Sequence, residues 1–197
     1  MGRIHIDYTT EKIAAINSDS PHGGGGIALF QRCDNRYNHV MELKELYREI
    51  LNEHNINPSH KESLEGANLS LQGINPSCGD NITLNLKTEK GKITDGAFSG
   101  SGCAISQASC DMMLDLIIGK EEKEALRLCE IFMGMIQGKV SDEEIEELDE
   151  ASALREIQHM PARVKCAELG WRTMREMLGL KKDSASSSLS HPDCPTK

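Results

Sequence analysis

The chain has 197 residues, of which 38% are hydrophobic and 4% aromatic, and its formal net charge is -9. This length and composition predict one ordinary hydrophobic core with room for flexible ends. The charge argues against a nucleic-acid partner, because phosphate binding needs clustered Lys and Arg, and the sequence has no basic stripe. No apolar run reaches the length of a membrane span, and the N-terminus lacks a signal-peptide pattern, so we expect a cytoplasmic protein with no membrane partner.

The first 40 residues contain the run SDSPHGGGG and little periodicity, which predicts a flexible N-terminal arm. The glycine run does not predict a phosphate loop, because the Lys-Ser/Thr ending and the preceding strand are missing. From Met41 onward, apolar residues recur at the spacing of one helical face. This pattern predicts a helix of about 13 residues that ends before Asn57 and Pro58.

Three strand-like segments follow, at residues 67–72, 82–89 and 92–100. The second segment alternates apolar and polar side chains, which is the period of a sheet with one buried face. Lys90 and Gly91 close a short hairpin between the second segment and the third.

Two amphipathic helices are predicted after the last strand. The apolar period changes to 3.6 after the run SGSGC, so the first helix begins beside Cys103 and stops at Gly119. The second covers residues 121–137, and we interpret its Cys129 as a core side chain.

The C-terminal third begins with an acidic run at residues 141–150, which is typical of a solvated loop or helix face. A final helix is predicted to begin near Pro161 and to continue through Leu178. Residues 181–197 form a polar tail with too few apolar groups to offset the entropy cost of ordering, so we expect them to be disordered.

Cysteine is the residue type that carries the most functional information. Seven cysteines in a chain without a secretion signal argue against a disulfide framework and favour metal binding or thiol chemistry. Of these seven, Cys33 and Cys194 are interpreted as incidental thiols in the predicted arm and tail. Cys110 lies beyond Cys103 on a nearby face of the same predicted helix, but it is not interpreted as a ligand, and His159 is interpreted as a capping or surface residue. No nucleophile triad is recognisable around Ser106, so hydrolase chemistry has no support.

A candidate metal site can be assembled from residues at the boundaries of the predicted elements. Cys78 and Asp80 flank one glycine on a Pro-containing turn, Cys103 follows a Gly-flanked turn, and Cys166 lies early in the last helix. Three thiols and one carboxylate make a four-coordinate set that selects zinc or an iron-sulfur unit over harder cations. The alternative, that these cysteines are small buried hydrophobes, stays open because the spacing lacks paired C-x2-C knuckles.

Three segments carry a resemblance to a known family: NPSCGDNITL, GAFSGSGCAISQAS and MPARVKCAELGW. In this order they are similar to the three motifs of the U-type iron-sulfur scaffold family (IscU and NifU N-terminal-like), and most closely to its SufU branch. Two features favour that branch: the long stretch before the third motif, and Lys165 where the IscU-type pattern has a histidine. The resemblance places a SufU/IscU-like domain at residues 41–180, between the arm at 1–40 and the tail at 181–197.

The resemblance implies an α+β fold of the SufE/IscU-like type, with a small three-stranded antiparallel sheet packed against several helices and a metal site at one end. It implies Zn2+, or a transient iron-sulfur cluster, held by Cys78, Asp80, Cys103 and Cys166.

The resemblance also implies a function, since SufU-type proteins are similar to zinc-dependent sulfur carriers. A PLP-dependent cysteine desulfurase (SufS-like) forms a persulfide, and the U-type protein accepts that sulfur, stimulates the desulfurase and supplies other iron-sulfur assembly proteins. In this interpretation Cys78 is the sulfur acceptor, and Arg163 steadies the anionic persulfide or the partner contact. Cys166 is the second candidate acceptor, because Arg163 and Lys165 beside it would lower the pKa of its thiol.

Two other functions remain open from the sequence. One is a scaffold that assembles a transient [2Fe-2S] cluster on the same four ligands. The other is a zinc-stapled interaction module with no sulfur chemistry.

Overall fold

Three antiparallel strands form one sheet in the computed structural model of the protein, which describes residues 45–186. The strands lie in the order β1-β2-β3, so each neighbours the next one along the chain. Their bounds are β1, Leu69–Asn75; β2, Asp80–Glu89; and β3, Lys92–Ser101. The expected three-stranded antiparallel sheet is therefore confirmed.

The first strand lies further toward the C-terminus than the predicted segment 67–72. It pairs with β2 in an unbroken register that ends with Asn75 opposite Asp80. Both of these residues are buried although both are polar. Because the sequence pattern follows apolar side chains, it does not mark a strand end made of buried polar residues.

Helices and one 3-10 segment make up most of the remaining described chain. Helix α1 includes residues 45–56, and no helix among residues 45–186 is both long and apolar enough to cross a membrane. The others are α2, Ala104–Ile117; α3, Glu122–Ile136; α4, Asp142–Glu146; the 3-10 segment, Asp149–His159; α5, Pro161–Ala167; and α6, Leu169–Ser186. The two helices predicted directly after the sheet are confirmed as α2 and α3.

The prediction of one continuous final helix is wrong. The segment is divided at Glu168 into α5 and α6. The Ser109 hydroxyl donates a 2.7 Å hydrogen bond to the carbonyl of Ala167 and accepts a 3.1 Å bond from the Trp171 indole. These tertiary bonds fix the junction between the two helices. Helix α6 reaches Ser186, beyond residue 181 where the tail was expected to begin, and the predicted arm at 1–40 lies outside the described residues.

The acidic run at 141–150 includes α4 and the start of the 3-10 segment. Ser141 and Glu144 cap the beginning of α4 reciprocally, each side chain bonding the other residue's backbone N–H. Ile145 and Leu148 are buried, while most of the acidic side chains in the run remain exposed. The run therefore forms a solvated helix face whose apolar residues anchor it to the core.

The core lies between the sheet and the helices. Helix α6 packs on β1 and β2, and α2 packs on β3, α5 and α6. The middle of the inward face of β2 is apolar, with Ile82, Leu84 and Leu86 buried. The Trp171 ring stacks on Phe132 with 4.3 Å between ring centroids. Cys129 lies in this core, as expected from its helical spacing.

A buried ionic network centred on His54 fixes α1 to the rest of the fold. Its Nδ1 lies 2.8 Å from the Asp111 carboxylate and 3.8 Å from the Asp115 carboxylate, and its Nε2 lies 2.8 Å from the exposed Glu150 carboxylate. Burial alone would lower the pKa of His54, but the bonds to Asp111 and Glu150 raise it to about 9. The imidazolium is therefore the favoured form at neutral pH.

We expect the His54 network to make stability fall in mildly alkaline solution. A pKa raised from 6.5 to about 9 stabilises the fold fully below pH 6.5, and this contribution is lost as the pH rises through 9. This contribution to the free energy of unfolding is on the order of 3 kcal/mol. Urea unfolding of His54→Gln should therefore show a lower free energy at pH 6 and a flatter profile from pH 6 to 9.5.

The matched control is His159→Gln, which changes an exposed histidine at the end of the 3-10 segment. It should keep the wild-type profile. Equal slopes for wild type and His54→Gln between pH 6.5 and 9 would show that the network does not stabilise the fold.

Candidate metal and thiol site

The turn between β1 and β2 presents Cys78 to solvent. Four residues, 76–79, connect the strands, and the N–H of Cys78 donates a 3.3 Å hydrogen bond to the carbonyl of Asn75. Pro76 suits the turn because its φ is already restricted. Gly79 has φ of +71°, a left-handed conformation that glycine adopts without strain. As a result, Cys78 is exposed while Asp80, two residues later, begins β2 and is buried.

Cys166 in α5 meets this turn from the helical layer. Its sulfur lies 3.1 Å from the sulfur of Cys78. One donor atom each from Cys78, Asp80 and Cys166 lies within 4.8 Å of the other two. Residues separated by almost 90 positions in the sequence thus meet at one end of the sheet.

Cys103 completes the group from the start of α2. Its backbone N–H donates a 2.7 Å hydrogen bond to the Asp80 carboxylate, and its thiol interacts with that of Cys166. Cys103 is not among the three residues whose donor atoms lie closest together. The structure therefore brings all four candidate residues to one end of the fold, with Cys78, Asp80 and Cys166 as its tightest part.

The carboxylate of Asp80 is ionised although it is buried. Burial on its own would raise the pKa of Asp80, but hydrogen bonds lower it below its ordinary value. The largest of these comes from the Cys103 backbone, and others come from Cys166, Asn75 and Ser106. A carboxylate held in its charged form is ready to bind a cation.

The thiol of Cys166 does not have the lowered pKa that is expected from Arg163 and Lys165 beside it. Its pKa is raised because the side chain is buried and because it bonds to Cys78, Asp80 and Cys103. Arg163 lies one helical turn earlier and is exposed. The pKa of its guanidinium is raised most by the charge of Cys103, and then by the charges of Cys78 and Cys166. Arg163 therefore faces all three thiols.

A groove runs between β1 and α6 beside the turn. It has a volume of about 320 Å³, and it is lined by residues of the turn and by Lys165, Arg172 and Glu176. Ile74, which lines the groove, and Met160, directly before α5, are large apolar side chains that remain exposed. The groove thus places basic side chains and the apolar Ile74 beside the turn that carries Cys78.

The other described cysteines do not belong to the site. Burial raises the pKa of Cys110 and of Cys129 to about 12, so both thiols stay protonated in the core. His159 is exposed, and Cys33 and Cys194 lie outside the described residues.

Two residues near the ligands were not identified from the sequence as part of the site. Asn75 donates from its amide to Asp80 and to Cys166, and Ser106 bonds the Asp80 carboxylate. Only the pairing of Asn75 with Asp80 across the turn could have indicated the first of them. The sequence gives no comparable signal for Ser106.

The donor set fits a thiophilic metal. Three sulfurs and one ionised carboxylate satisfy the four-coordinate, sulfur-rich preference of Zn2+. The buried carboxylate and the backbone hydrogen bond from Cys103 supply the support around the ligands that such sites need.

Fold and motifs together define a class of protein, the U-type domains of iron-sulfur cluster assembly. A family model described as "NifU-like N terminal domain" matches residues 46–176. The chain belongs to this family.

Relatives in the family have two kinds of name. "Iron-sulfur cluster assembly scaffold protein IscU" of Streptococcus pyogenes serotype M1 is 41% identical over 71% of this chain and 86% of its own length. "Zinc-dependent sulfurtransferase SufU" of Bacillus subtilis (strain 168) is 37% identical over 74% of this chain and 96% of its own length. The crystal structure of a candidate iron-sulfur cluster assembly scaffold protein for the SUF system, from Fervidobacterium islandicum AW-1, has a TM-score of 0.63 to this chain. The two sequences are 36% identical, and the match covers 66% of this chain and 94% of the other.

The turn geometry leads to a test with two matched glycine variants. Gly79 and Gly91 both have positive φ, and a Cβ added at either meets no atom within 4 Å. Gly79→Ala and Gly91→Ala should each cost about 1–2 kcal/mol of stability through backbone strain alone. Only Gly79→Ala should also weaken zinc binding in a chelator competition, because only that turn carries Cys78 and Asp80.

Equal zinc affinities for the two variants would show that the conformation of the turn at Gly79 does not contribute to metal binding. Unfolding curves of the metal-free proteins show whether the strain costs are matched.

Proposed function

We propose that this protein is a zinc-dependent sulfur carrier, which accepts sulfur from a PLP-dependent cysteine desulfurase and supplies it to iron-sulfur cluster assembly. The zinc is held by Cys78, Asp80, Cys103 and Cys166. Cys78 is also the sulfur acceptor, and the desulfurase is of the SufS type. The SufU relative, which is named as a zinc-dependent sulfurtransferase, supports this proposal.

The observation that carries the proposal is the unequal exposure of the thiols. Cys78 is exposed, Cys103 is half-buried and Cys166 is buried. A sulfur bound covalently to a partner protein can be transferred only to a thiol that the partner's cysteine can reach. Cys78 meets that requirement, on a turn beside exposed apolar and basic side chains.

The transfer step is an exchange of one S–S bond for another. The Cys78 thiolate attacks the outer sulfur of a protonated persulfide on the desulfurase cysteine. A new S–S bond forms at Cys78, the S–S bond in the desulfurase breaks, and its electron pair leaves with the desulfurase cysteine as a thiolate. No oxidant or reductant is needed, because one persulfide is consumed and one is formed.

Residues around Cys78 assist this exchange. Zinc, when bound, would keep the thiols as thiolates at neutral pH without changing its own redox state. Arg163 faces the three thiols and offsets the negative charge of the new persulfide once that persulfide loses its proton. Asp80 and Cys166 are buried and hold the inner side of the site.

A scaffold function on the same residues is the competing proposal. The relative from Streptococcus pyogenes, named as a cluster assembly scaffold, favours it, and the same four donors would hold a [2Fe-2S] unit as cargo. The spectrum of protein purified without oxygen separates the two: a colourless protein with one zinc supports the carrier, and a brown protein supports the scaffold.

Replacing Cys78 tests its role as acceptor. Wild-type protein mixed with the desulfurase, PLP and cysteine should increase alanine formation, since removal of the persulfide frees the desulfurase for another turnover. Cys78→Ala should abolish the increase, while Ser77→Ala on the same exposed turn should retain it. Mass spectrometry of the wild type should place the added sulfur on Cys78.

Two results would contradict that assignment. One is full stimulation by a folded, zinc-loaded Cys78→Ala protein, and the other is a persulfide found only on Cys166. Circular dichroism and zinc content of each variant ensure that the comparison concerns chemistry and not folding.

Replacing Cys103 tests the metal site. A structural zinc contributes its binding energy to folding, so removal of zinc should lower the melting temperature of the wild type. Cys103→Ala should lose most of its zinc in a chelator competition, and its melting temperature should then depend little on added zinc.

The control is Cys129→Ala, which removes a buried core thiol instead. It should lower the melting temperature with and without zinc by similar amounts and leave zinc binding unchanged. A Cys103→Ala protein with full zinc content and wild-type melting would remove Cys103 from the ligand set.

A further inference from the structure

We propose that Asn75 is a positioning residue, which holds Asp80 and Cys166 together as a pair of metal ligands. This inference rests on the zinc site of the proposed function but not on sulfur transfer.

The side chain of Asn75 bridges the two buried ligands. Asn75 is 4% exposed, and its amide nitrogen lies 3.0 Å from the Asp80 carboxylate and 3.4 Å from the Cys166 sulfur. A carboxamide nitrogen carries two hydrogens, so one can serve each acceptor. The bridge joins a ligand of β2 to a ligand of α5.

The backbone explains why an asparagine at this position reaches both acceptors. Asn75 ends β1 directly opposite Asp80, and residues paired in this way project to the same face of the sheet. The carbonyl of Asn75 also accepts a hydrogen bond from the N–H of Cys78. One residue therefore contacts three of the four proposed ligands, using its side chain for two of them and its backbone for the third.

The hydrogen bonds from the Asn75 side-chain amide distinguish Asp80 and Cys166 from the other two ligands. A hydrogen bond donated to an anionic carboxylate or thiolate is stronger than one between neutral groups, and it also orients the ligand. Asp80 receives such a bond from Asn75, and Cys166 would do so when a bound metal holds it as a thiolate. The Cys78 sulfur accepts a hydrogen bond from the Cys166 thiol, and a metal that displaces the proton of Cys166 would remove this bond. Cys78, the exposed thiol, is therefore not one of the two ligands that the Asn75 side chain holds.

The test replaces the amide of Asn75 and measures metal binding. Asn75→Leu keeps the approximate volume and removes the donors, and Asn75→Asp keeps the shape but turns a donor into an anionic acceptor facing Asp80 and Cys166. Both should bind zinc about 10- to 100-fold more weakly than wild type in a chelator competition. Asn81→Leu and Asn81→Asp are matched controls at an exposed position beside Asp80, and they should stay close to wild type.

A spectroscopic signature separates positioning from simple loss of stability. With Co2+ in place of zinc, loss of an N–H bond to a thiolate raises the energy of the sulfur lone pairs. The sulfur-to-cobalt charge-transfer band of Asn75→Leu should therefore move to lower energy, while the Asn81 variants should keep the wild-type band. Circular dichroism of the metal-free proteins establishes which variants fold.

If Asn75→Leu does not fold, the isosteric Asn75→Asp decides the question through its zinc affinity. Wild-type affinity and an unchanged cobalt band in a folded Asn75 variant would overturn the proposal, as would a wild-type protein that binds neither metal. Failure of the wild type to stimulate the desulfurase, with the affinity difference intact, would instead overturn only the sulfur-carrier function.

Discussion

The buried carboxylate of Asp80 holds the site end of the fold together. Water cannot solvate it there, so protein donors must compensate for its charge. Those donors come from different elements: the Cys103 backbone at the start of α2, the Asn75 amide at the end of β1, and Ser106 within α2. A single side chain thereby ties the β1–β2 hairpin to the first helix after the sheet, and it does so at the place where the candidate ligands meet.

The opposite side of the site is fixed by the core. Ser109 bonds both the carbonyl of Ala167 and the indole of Trp171, and that indole stacks on Phe132. Cys166 is the residue immediately before Ala167, so its position follows from packing rather than from the loop chemistry around Cys78. The site thus combines a rigid inner side, set by strand, helix and core, with an exposed turn that carries one thiol.

Much of this arrangement could be predicted from the sequence, because period-2 and period-3.6 patterns report which face of an element is buried. That information was sufficient for β2, β3, α2 and α3, and the three motifs indicated the four candidate ligands. The end of β1, the break at Glu168 and the His54 network could not be found in this way. Each depends on polar contacts between distant residues, such as the contact of His54 with Glu150, 96 positions away, and hydrophobic periodicity does not record such contacts.

Under the proposed function, the charge of the site bears on how sulfur would reach it. Three thiolates and one carboxylate leave a net negative charge even after one Zn2+ is bound, and the whole chain is also acidic. Free sulfide or another small anion is repelled by such a site, apart from its attraction to Arg163. Sulfur carried covalently on a docked protein avoids this repulsion, because contacts at the surrounding surface bring the two cysteines together. The electrostatics therefore agree better with the proposed delivery of sulfur by a partner protein beside Cys78 than with capture of sulfur from solution.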